Sequence, residues 1–387
     1  MHVLPEAFNL ATYIGLWEPT HLESSIARCF YKFYTCLSFA LIILTMITQI
    51  LAMLFFTKTL DEFAETAYML LSAINASVKG VVILLRRKHV IDLAEMLLKK
   101  ECVPINATEK RVCSYFNKIS RYTVLSCIVL AEGTISALAL LPVVFEQGEL
   151  VLPLRAWYPY NAGSGLGYWL SYLHQAMALT LIAAYDVAND TIITGFMVQA
   201  CAQLELMTCR FHRFSWRGSN AVMRNGARHQ LRLFEKRMVA QSVRHHLLIF
   251  RFTEIINSIF APVILVQFCL SSGVLCITVY QMSASKSNGL KVIVLSLYLV
   301  SMLVEFFLYC WFGNEVTLKS LGFNIAVCEM DWTAMHVQTL KELLIIMVRS
   351  TSPIFLSCGP LIKLSLESFT NILKISYSAF NVLKQFD

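Results

Sequence analysis

The composition of this 387-residue chain is that of a membrane protein. Hydrophobic residues make up 57% of it and charged residues only 15%, whereas about a quarter of a soluble domain is charged. The net charge of +7 would suit nucleic acid, but the basic residues are concentrated in segments that alternate with long apolar stretches. Membrane orientation therefore explains the charge better than nucleic-acid binding does.

Apolar stretches long enough for a helix to cross a bilayer recur along the chain. We predict seven crossings, at about 33–56, 66–85, 122–145, 168–192, 255–281, 292–312 and 361–384. The sequence therefore predicts an all-α integral membrane protein. Its predicted organisation is six spans in residues 1–312, a cytoplasmic anchor region at 313–360 together with the inner parts of helices four to six, and a last spanning helix in 361–387.

The basic residues predict the orientation of these spans. Residues 86–121 and 210–244 are rich in Lys and Arg, whereas the connections 57–66, 146–167 and 281–291 contain few. Because basic residues resist translocation, the rich segments are expected in the cytoplasm. The amino terminus is then cytoplasmic and the carboxyl terminus extracellular.

Two helices are expected to extend the bundle into the cytoplasm. The fourth span stays apolar well past membrane length, as far as Leu206, which predicts a projection of about 15–20 Å below the bilayer. Residues 341–352 are apolar but interrupted by charges, and we expect a helix packed in the cytoplasmic region rather than an eighth crossing.

Several charges fall at or near membrane depth. Lys79, Glu132 and Glu305 would each cost about 2.5–3.5 kcal/mol at the bilayer centre. Lys79 could reach the inner interface along its own stem or pair with Glu132 from the neighbouring span. Asp186 and Asp190 are expected at the inner interface, where water solvates a carboxylate.

The last predicted span has a polar side. Its polar residues recur at three or four positions and share one side of the helix: Glu367, Asn371, Lys374, Ser378 and Asn381. Polar groups facing lipid would be unsatisfied, so this side needs either a water-filled conduit or a polar partner buried between helices.

Three stretches resemble the insect odorant receptors. They are "CAQLELMTCRF" at 201–211, "YCWFGNEVTLKS" at 309–320 and "MVRSTSPIFLSCGPLIKLSLESFTNILKISYSAFNVL" at 347–383. The likeness covers the whole chain in length and topology, and the last motif is the most specific. A departure is Pro360-Leu361, where many members have a Gly-Lys-Phe-like turn.

This resemblance implies an odorant-gated, poorly selective cation channel in the plasma membrane of olfactory sensory neurons. The implied assembly is a tetramer with the odorant receptor co-receptor, in which each subunit contributes its last helix to a central pore. Its partners would be small volatile odorants, permeating cations and the lipid bilayer, with no nucleic acid, cofactor, metal or enzymatic activity. A short second cytoplasmic loop indicates a tuning subunit rather than the co-receptor.

The resemblance also implies roles in the last helix. A hydrophobic gate is expected at Val382, with Gln385 about one turn beyond, because apolar side chains can close a narrow pore by dewetting. Glu367 and Lys374 would face the wider inner vestibule, where Glu367 either concentrates cations or pairs with Lys374 of a neighbouring subunit. The stripe residues between vestibule and gate would line the pore: Asn371, Ser378 and Asn381.

The family's odorant pocket lies in one subunit, in the outer half of the bundle, between spans two, three, four and six. A mostly apolar cavity with scattered polar groups suits a small volatile with one hydrogen-bonding function. Span depth gives the candidate ligand contacts, which are Tyr68, Leu71, Ser72, Asn75, Ser136, Ala137, Leu140, Gln175, Ala178, Leu179, Ile182, Leu297 and Tyr298.

Three alternatives fit the sequence less well. A gustatory-type receptor channel of the same superfamily is nearest, and only the last-helix motif weighs against it. A G-protein-coupled receptor would place its amino terminus outside, and the chain lacks Asp/Glu-Arg-Tyr at "SRYTV" and Asn-Pro-x-x-Tyr in its last span. A membrane enzyme would need converging His, Asp or Glu, but His245 and His246 are adjacent and cannot form an i, i+4 metal pair. We expect both histidines to be solvated in the basic loop.

Overall fold

Helices dominate the computed structural model. It describes residues 3–19, 24–145, 151–222, 228–284, 289–330, 332, 335–359 and 362–383. The helices in these residues are α1 Pro5–Tyr13, α2 Ser25–Phe56, α3 Leu60–Leu85, α4 Arg87–Met96, α5 Ala107–Phe145, α6 Gly165–Val222, α7 Arg228–Ala284, α8 Gly289–Cys328, α9 Val337–Ser350 and α10 Leu366–Leu383. The all-α prediction is confirmed.

Six described helices, α2, α3 and α5 to α8, are long and apolar enough to cross a membrane. They match the first six predicted spans, and α10 occupies the position of the seventh. Its 18 residues are fewer than the roughly 20 of an ordinary span, and polar residues interrupt them. The last helix is therefore shorter and more polar than an ordinary membrane span.

The longest helices continue well past membrane thickness. Helix α6 has 58 residues and is roughly 85 Å long at 1.5 Å per residue, which confirms the predicted extension of the fourth span. Helix α7 is nearly as long, with 57 residues. Helix α9 agrees with the helix predicted at 341–352.

Helix α6 is the centre of the bundle. It packs against α1, α2, α3, α5, α7 and α8, so most residues along its middle are buried on every side. Phe196 lies in this core, with its ring centroid 6.2 Å from that of Phe252 and 6.3 Å from that of Phe260 on α7. A helix that is hydrophobic all round is expected at such a central position.

A short hairpin leads into α10. Strands β1 Ser357–Cys358 and β2 Ile362–Lys363 pair antiparallel, and Gly359 next to β1 has φ of 73°, which favours glycine. The hairpin lies close to α8, since a Cβ at Gly313 would stand 2.4 Å from the Cβ of Leu364. Only glycine allows this approach, which fixes where α10 begins.

A buried ion cluster fixes the connection between α4 and α5. Glu109 is fully buried and contacts Arg210 at 3.1 Å and Arg213 at 3.0 Å. Its carboxylate also accepts hydrogen bonds from the backbone N–H of Ile105 and the side chain of Asn106, both at 2.9 Å. We define the Glu109 cluster as Glu109, Arg210 and Arg213.

The expectation that His245 and His246 are solvated is wrong. Both are buried: His245 Nε2 lies 3.0 Å from Gln203 Oε1, and the His246 ring lies 4.6 Å from Phe250 and 5.1 Å from Phe323. The reason is that this part of the basic segment belongs to α7, which packs against α6.

Candidate ligand site and the polar face of the last helix

A cavity lies among α3, α5, α6 and α8, the four helices that correspond to predicted spans two, three, four and six. It encloses about 90 Å³. Its walls are mainly apolar, with each helix contributing side chains such as Met69, Ile135, Ala183 and Met302. A small apolar molecule would therefore find mainly apolar contacts there.

Four of the predicted ligand contacts line this cavity: Ser72, Leu179, Ile182 and Tyr298. The Ser72 hydroxyl donates to the Tyr68 carbonyl at 3.1 Å and lies 2.5 Å from the Tyr298 hydroxyl. Because Ser72 has one hydroxyl hydrogen, Tyr298 donates to Ser72 in this arrangement. The pair joins α3 to α8 and adds two hydroxyls to an apolar wall.

The other predicted contacts lie around the cavity rather than on its wall. The Tyr68 ring packs against Tyr298, with centroids 5.2 Å apart, and Leu71 packs against the same apolar cluster. Ala178 is fully buried. The predicted contacts on α5 and the remaining one on α8 lie towards the outside of the bundle. Ala137 is partly exposed, and three others are exposed: Ser136, Leu140 and Leu297.

Gln175 holds the loop that precedes α6. Its Oε1 accepts from the Leu154 backbone N–H at 2.9 Å, and its Nε2 donates to the Leu154 carbonyl at 3.1 Å. The Leu154 side chain packs in the same cluster as Tyr68 and Tyr298. Gln175 therefore fixes Leu154 against the apolar cluster that contains Tyr68 and Tyr298.

A cluster of four charged residues forms one end of the cavity wall. Lys79 Nζ lies 3.1 Å from Asp186 Oδ1, 2.6 Å from Asp190 Oδ1 and 2.6 Å from Glu305 Oε1. Lys79 is 1% exposed, and the three carboxyl groups all line the cavity. We call these residues the Lys79 cluster.

The Lys79 cluster overturns three expectations. Lys79 neither extends to the interface nor pairs with Glu132, and Asp186 and Asp190 are not solvated at the inner interface. The two aspartates are four residues apart and share one face of α6, which faces Lys79 of α3 and Glu305 of α8. Mutual pairing inside the bundle keeps these charges away from lipid.

Asn75, another predicted contact, belongs to the same region. Its Nδ2 lies 3.3 Å from Asp186 Oδ1 and also donates to Gln267 Oε1 on α7. The structure therefore places Asn75 beside the charged end of the cavity rather than on its apolar wall.

The polar side of α10 faces away from its own subunit. Phe369 packs against Phe306 and Phe307 of α8, with ring centroids 5.4 and 5.5 Å apart. The polar stripe turns outwards, and all five of its members are exposed: Glu367, Asn371, Lys374, Ser378 and Asn381. Within one subunit the stripe is not a seam buried between helices.

The predicted gate lies at the end of the described chain. Val382 belongs to the last turn of α10, but its side chain and the whole of Gln385 lie outside the described residues. Their proposed roles remain predictions.

Comparisons with known proteins agree with this architecture. The family model described as 7tm odorant receptor matches residues 59–377. Odorant receptor 33b of Drosophila melanogaster is 22% identical over 334 residues, with 85% of this chain and 84% of that protein covered. Odorant receptor Or1 of Anopheles gambiae is 20% identical over 398 aligned residues, with 97% and 93% covered.

A solved structure has the same fold. The olfactory receptor OR5 from Machilis hrabei, solved in complex with eugenol, superposes with a TM-score of 0.83 over 99% of this chain and 98% of that one, at 15% identity. The predicted seven-helix membrane fold and the predicted resemblance are both confirmed. Since the family model covers most of the sequence, this protein belongs to the odorant receptor family.

Proposed function

We propose that this protein is the odorant-specific subunit of an odorant-gated cation channel. The observation that carries the proposal is the exposed polar stripe on α10, the helix at the position of the seventh span. In a tetramer formed with the odorant receptor co-receptor, the stripe would border a shared water-filled pore. The amino terminus would be cytoplasmic, and residues 313–360 would form the cytoplasmic anchor region.

The cavity among α3, α5, α6 and α8 is the proposed odorant site. Burial of apolar ligand surface would supply most of the affinity, at about 25 cal/mol per Å². The hydroxyl hydrogens of Ser72 and Tyr298 are both donated within the protein, so the two oxygens can accept one hydrogen bond from the ligand. Predicted contacts that do not line the cavity, such as Tyr68 and Leu71, would act by shaping the cavity wall.

Helix α8 connects this cavity to the pore helix. Glu305 lines the cavity, and the next two residues, Phe306 and Phe307, pack against Phe369 of α10. Because packed aromatic rings transmit displacement rather than absorb it, a ligand that shifts α8 would also shift α10. The proposed gate at Val382 lies at the far end of the same helix.

Current recording tests the proposal. Cells expressing this chain with the co-receptor should give volatile-evoked currents that disappear when sodium and calcium are removed from the bath. Cells expressing either subunit alone serve as controls for the contribution of this chain. A response that requires G-protein turnover, or the same volatile specificity without this chain, would contradict the proposal.

A further inference from the structure

The Lys79 cluster contains more carboxyl groups than its cation can balance. Lys79 donates hydrogen bonds to Asp190 and Glu305 and lies 3.1 Å from Asp186. Three carboxyl groups therefore face one ammonium, and with more than one of them ionised the cluster has negative charge in excess.

The excess charge falls on Asp186. Asp190 has close contacts at 2.6 Å with both Lys79 and the Tyr309 hydroxyl, and Glu305 has one at 2.6 Å with Lys79. Asp186 has only the longer contacts to Lys79 at 3.1 Å and Asn75 at 3.3 Å. Its side chain is also the most exposed of the three, at 18% against 7% and 14%.

An unpartnered acceptor lies beside Asp186. Asn75 is 3% exposed and donates through Nδ2 to Asp186 and Gln267. Its Oδ1 has no hydrogen-bond partner among the described residues. A buried acceptor without a donor is costly, so the charged end of the cavity lacks hydrogen-bond donors as well as positive charge.

We propose that the cavity selects small aliphatic amines, whose protonated nitrogen binds at Asp186. This inference rests on the proposed function of the cavity and names the ligand class it takes. A primary ammonium carries one positive charge and three donors, and its alkyl chain would lie along Ile135, Ala183 and Met302.

A matched pair of ligands tests the proposal. The full-length protein in phosphatidylcholine nanodiscs is titrated with butan-1-amine and butan-1-ol by calorimetry at neutral pH. The two probes have the same number of non-hydrogen atoms, so their affinity ratio isolates the ammonium group. We expect the amine to bind about tenfold more tightly or better, as one charge-assisted hydrogen bond would give.

Three variants locate the effect. Asp186→Asn keeps the shape but removes the charge, and should bring the two affinities to within about threefold of each other. Asp186→Glu retains the charge and should retain the preference for the amine. Glu132→Gln removes a carboxylate on α5 that does not line the cavity, and should leave the ratio unchanged. Unfolding midpoints of each variant check that the protein is folded.

The proposal is overturned if the amine fails to bind, if the alcohol binds as tightly, or if Asp186→Asn keeps the full preference. Current recording with the co-receptor separates this failure from failure of the proposed function. Currents evoked by other volatiles, without amine selectivity, would refute the ligand class alone. Absence of current to every volatile would refute the channel, whatever the calorimetry shows.

Discussion

The Lys79 cluster and the Glu109 cluster are both buried, but their charge balances are opposite. In the Glu109 cluster a single carboxylate meets two guanidinium groups and two further donors from Ile105 and Asn106. In the Lys79 cluster three carboxyl groups share one ammonium. The carboxylate of the Glu109 cluster is fully supplied with hydrogen-bond donors. The carboxyl groups of the Lys79 cluster have too few donors.

The surroundings of the two clusters explain this difference. Arg210 also donates to the backbone carbonyls of Glu101 at 2.5 Å and Val103 at 2.9 Å, so the Glu109 cluster ties a loop to α6. The Lys79 cluster instead lines a cavity between transmembrane helices. A saturated cluster is a structural joint, whereas a cluster with excess charge beside a cavity can accept a ligand.

The largest effect is expected from Lys79→Met. This change leaves the carboxyl groups of Asp186, Asp190 and Glu305 without their cation, and removing one partner of a buried ion pair costs about 3–5 kcal/mol. The free energy of unfolding, measured by denaturant titration in micelles, should fall by this amount. Lys99→Met, at an exposed position, is the control, and a loss no larger than the control's would contradict the assigned role.

Glu109→Gln should be the next most damaging change. It leaves the guanidinium groups of Arg210 and Arg213 without a carboxylate, at an expected cost of about 2–3 kcal/mol in the free energy of unfolding. Part of the Arg213 side chain is solvated, which limits the loss. Glu95→Gln on the exposed face of α4 is the matched control. Equal stability of the two variants would show that the Glu109 cluster is not a structural joint.

Asp186→Asn should change stability little, in contrast to Glu109→Gln. The substitution removes the weakest contact of Lys79 but also relieves repulsion between like charges, so the free energy of unfolding should stay within about 1 kcal/mol of the parent value. The same titration measures it. A loss as large as that of Glu109→Gln would mean that the Lys79 cluster has no excess negative charge.

The smallest effect is expected from Arg155→Ala in the loop that precedes α6. Arg155 contacts Glu62 at 3.0 Å and Glu65 at 3.3 Å, but its side chain is 44% exposed. Exposed ion pairs contribute less than about 1 kcal/mol. The loss in the free energy of unfolding should therefore be several-fold smaller for this variant than for Lys79→Met. A comparable loss in both would show that burial is not what distinguishes the Lys79 cluster.

Hydrophobic length and helical periodicity were sufficient to predict much of the fold. They located the spanning helices, the extension of α6 and the polar side of α10, because these features are local along the chain. The pairing of Lys79 was not predictable in this way, since Glu305 lies 226 residues away in sequence. One local signal was available: Asp186 and Asp190 are four residues apart, and therefore share a helix face.

Two further features depend on tertiary contacts. The solvation of His245 and His246 was inferred from the surrounding basic residues, but α7 continues through that segment and buries one side of it. Gln175 stays a predicted ligand contact, and in the structure its side chain binds the backbone of Leu154. The path of the loop from 151 to 164 depends on tertiary contacts such as the hydrogen bond from the Trp157 N–H to the Thr48 carbonyl, which no local pattern encodes.

Cysteine accessibility along α10 tests the central claim most directly. Asn371→Cys and Ser378→Cys lie on the polar stripe, whereas Ser376→Cys lies on the buried side, at 7% exposure. With the co-receptor present, a charged, membrane-impermeant thiol reagent should alter the odorant-evoked current of the two stripe variants. It should leave Ser376→Cys and the parent protein, with its native cysteines, unchanged. Stripe cysteines that stay unreactive in both resting and stimulated channels would contradict a water-lined pore along α10.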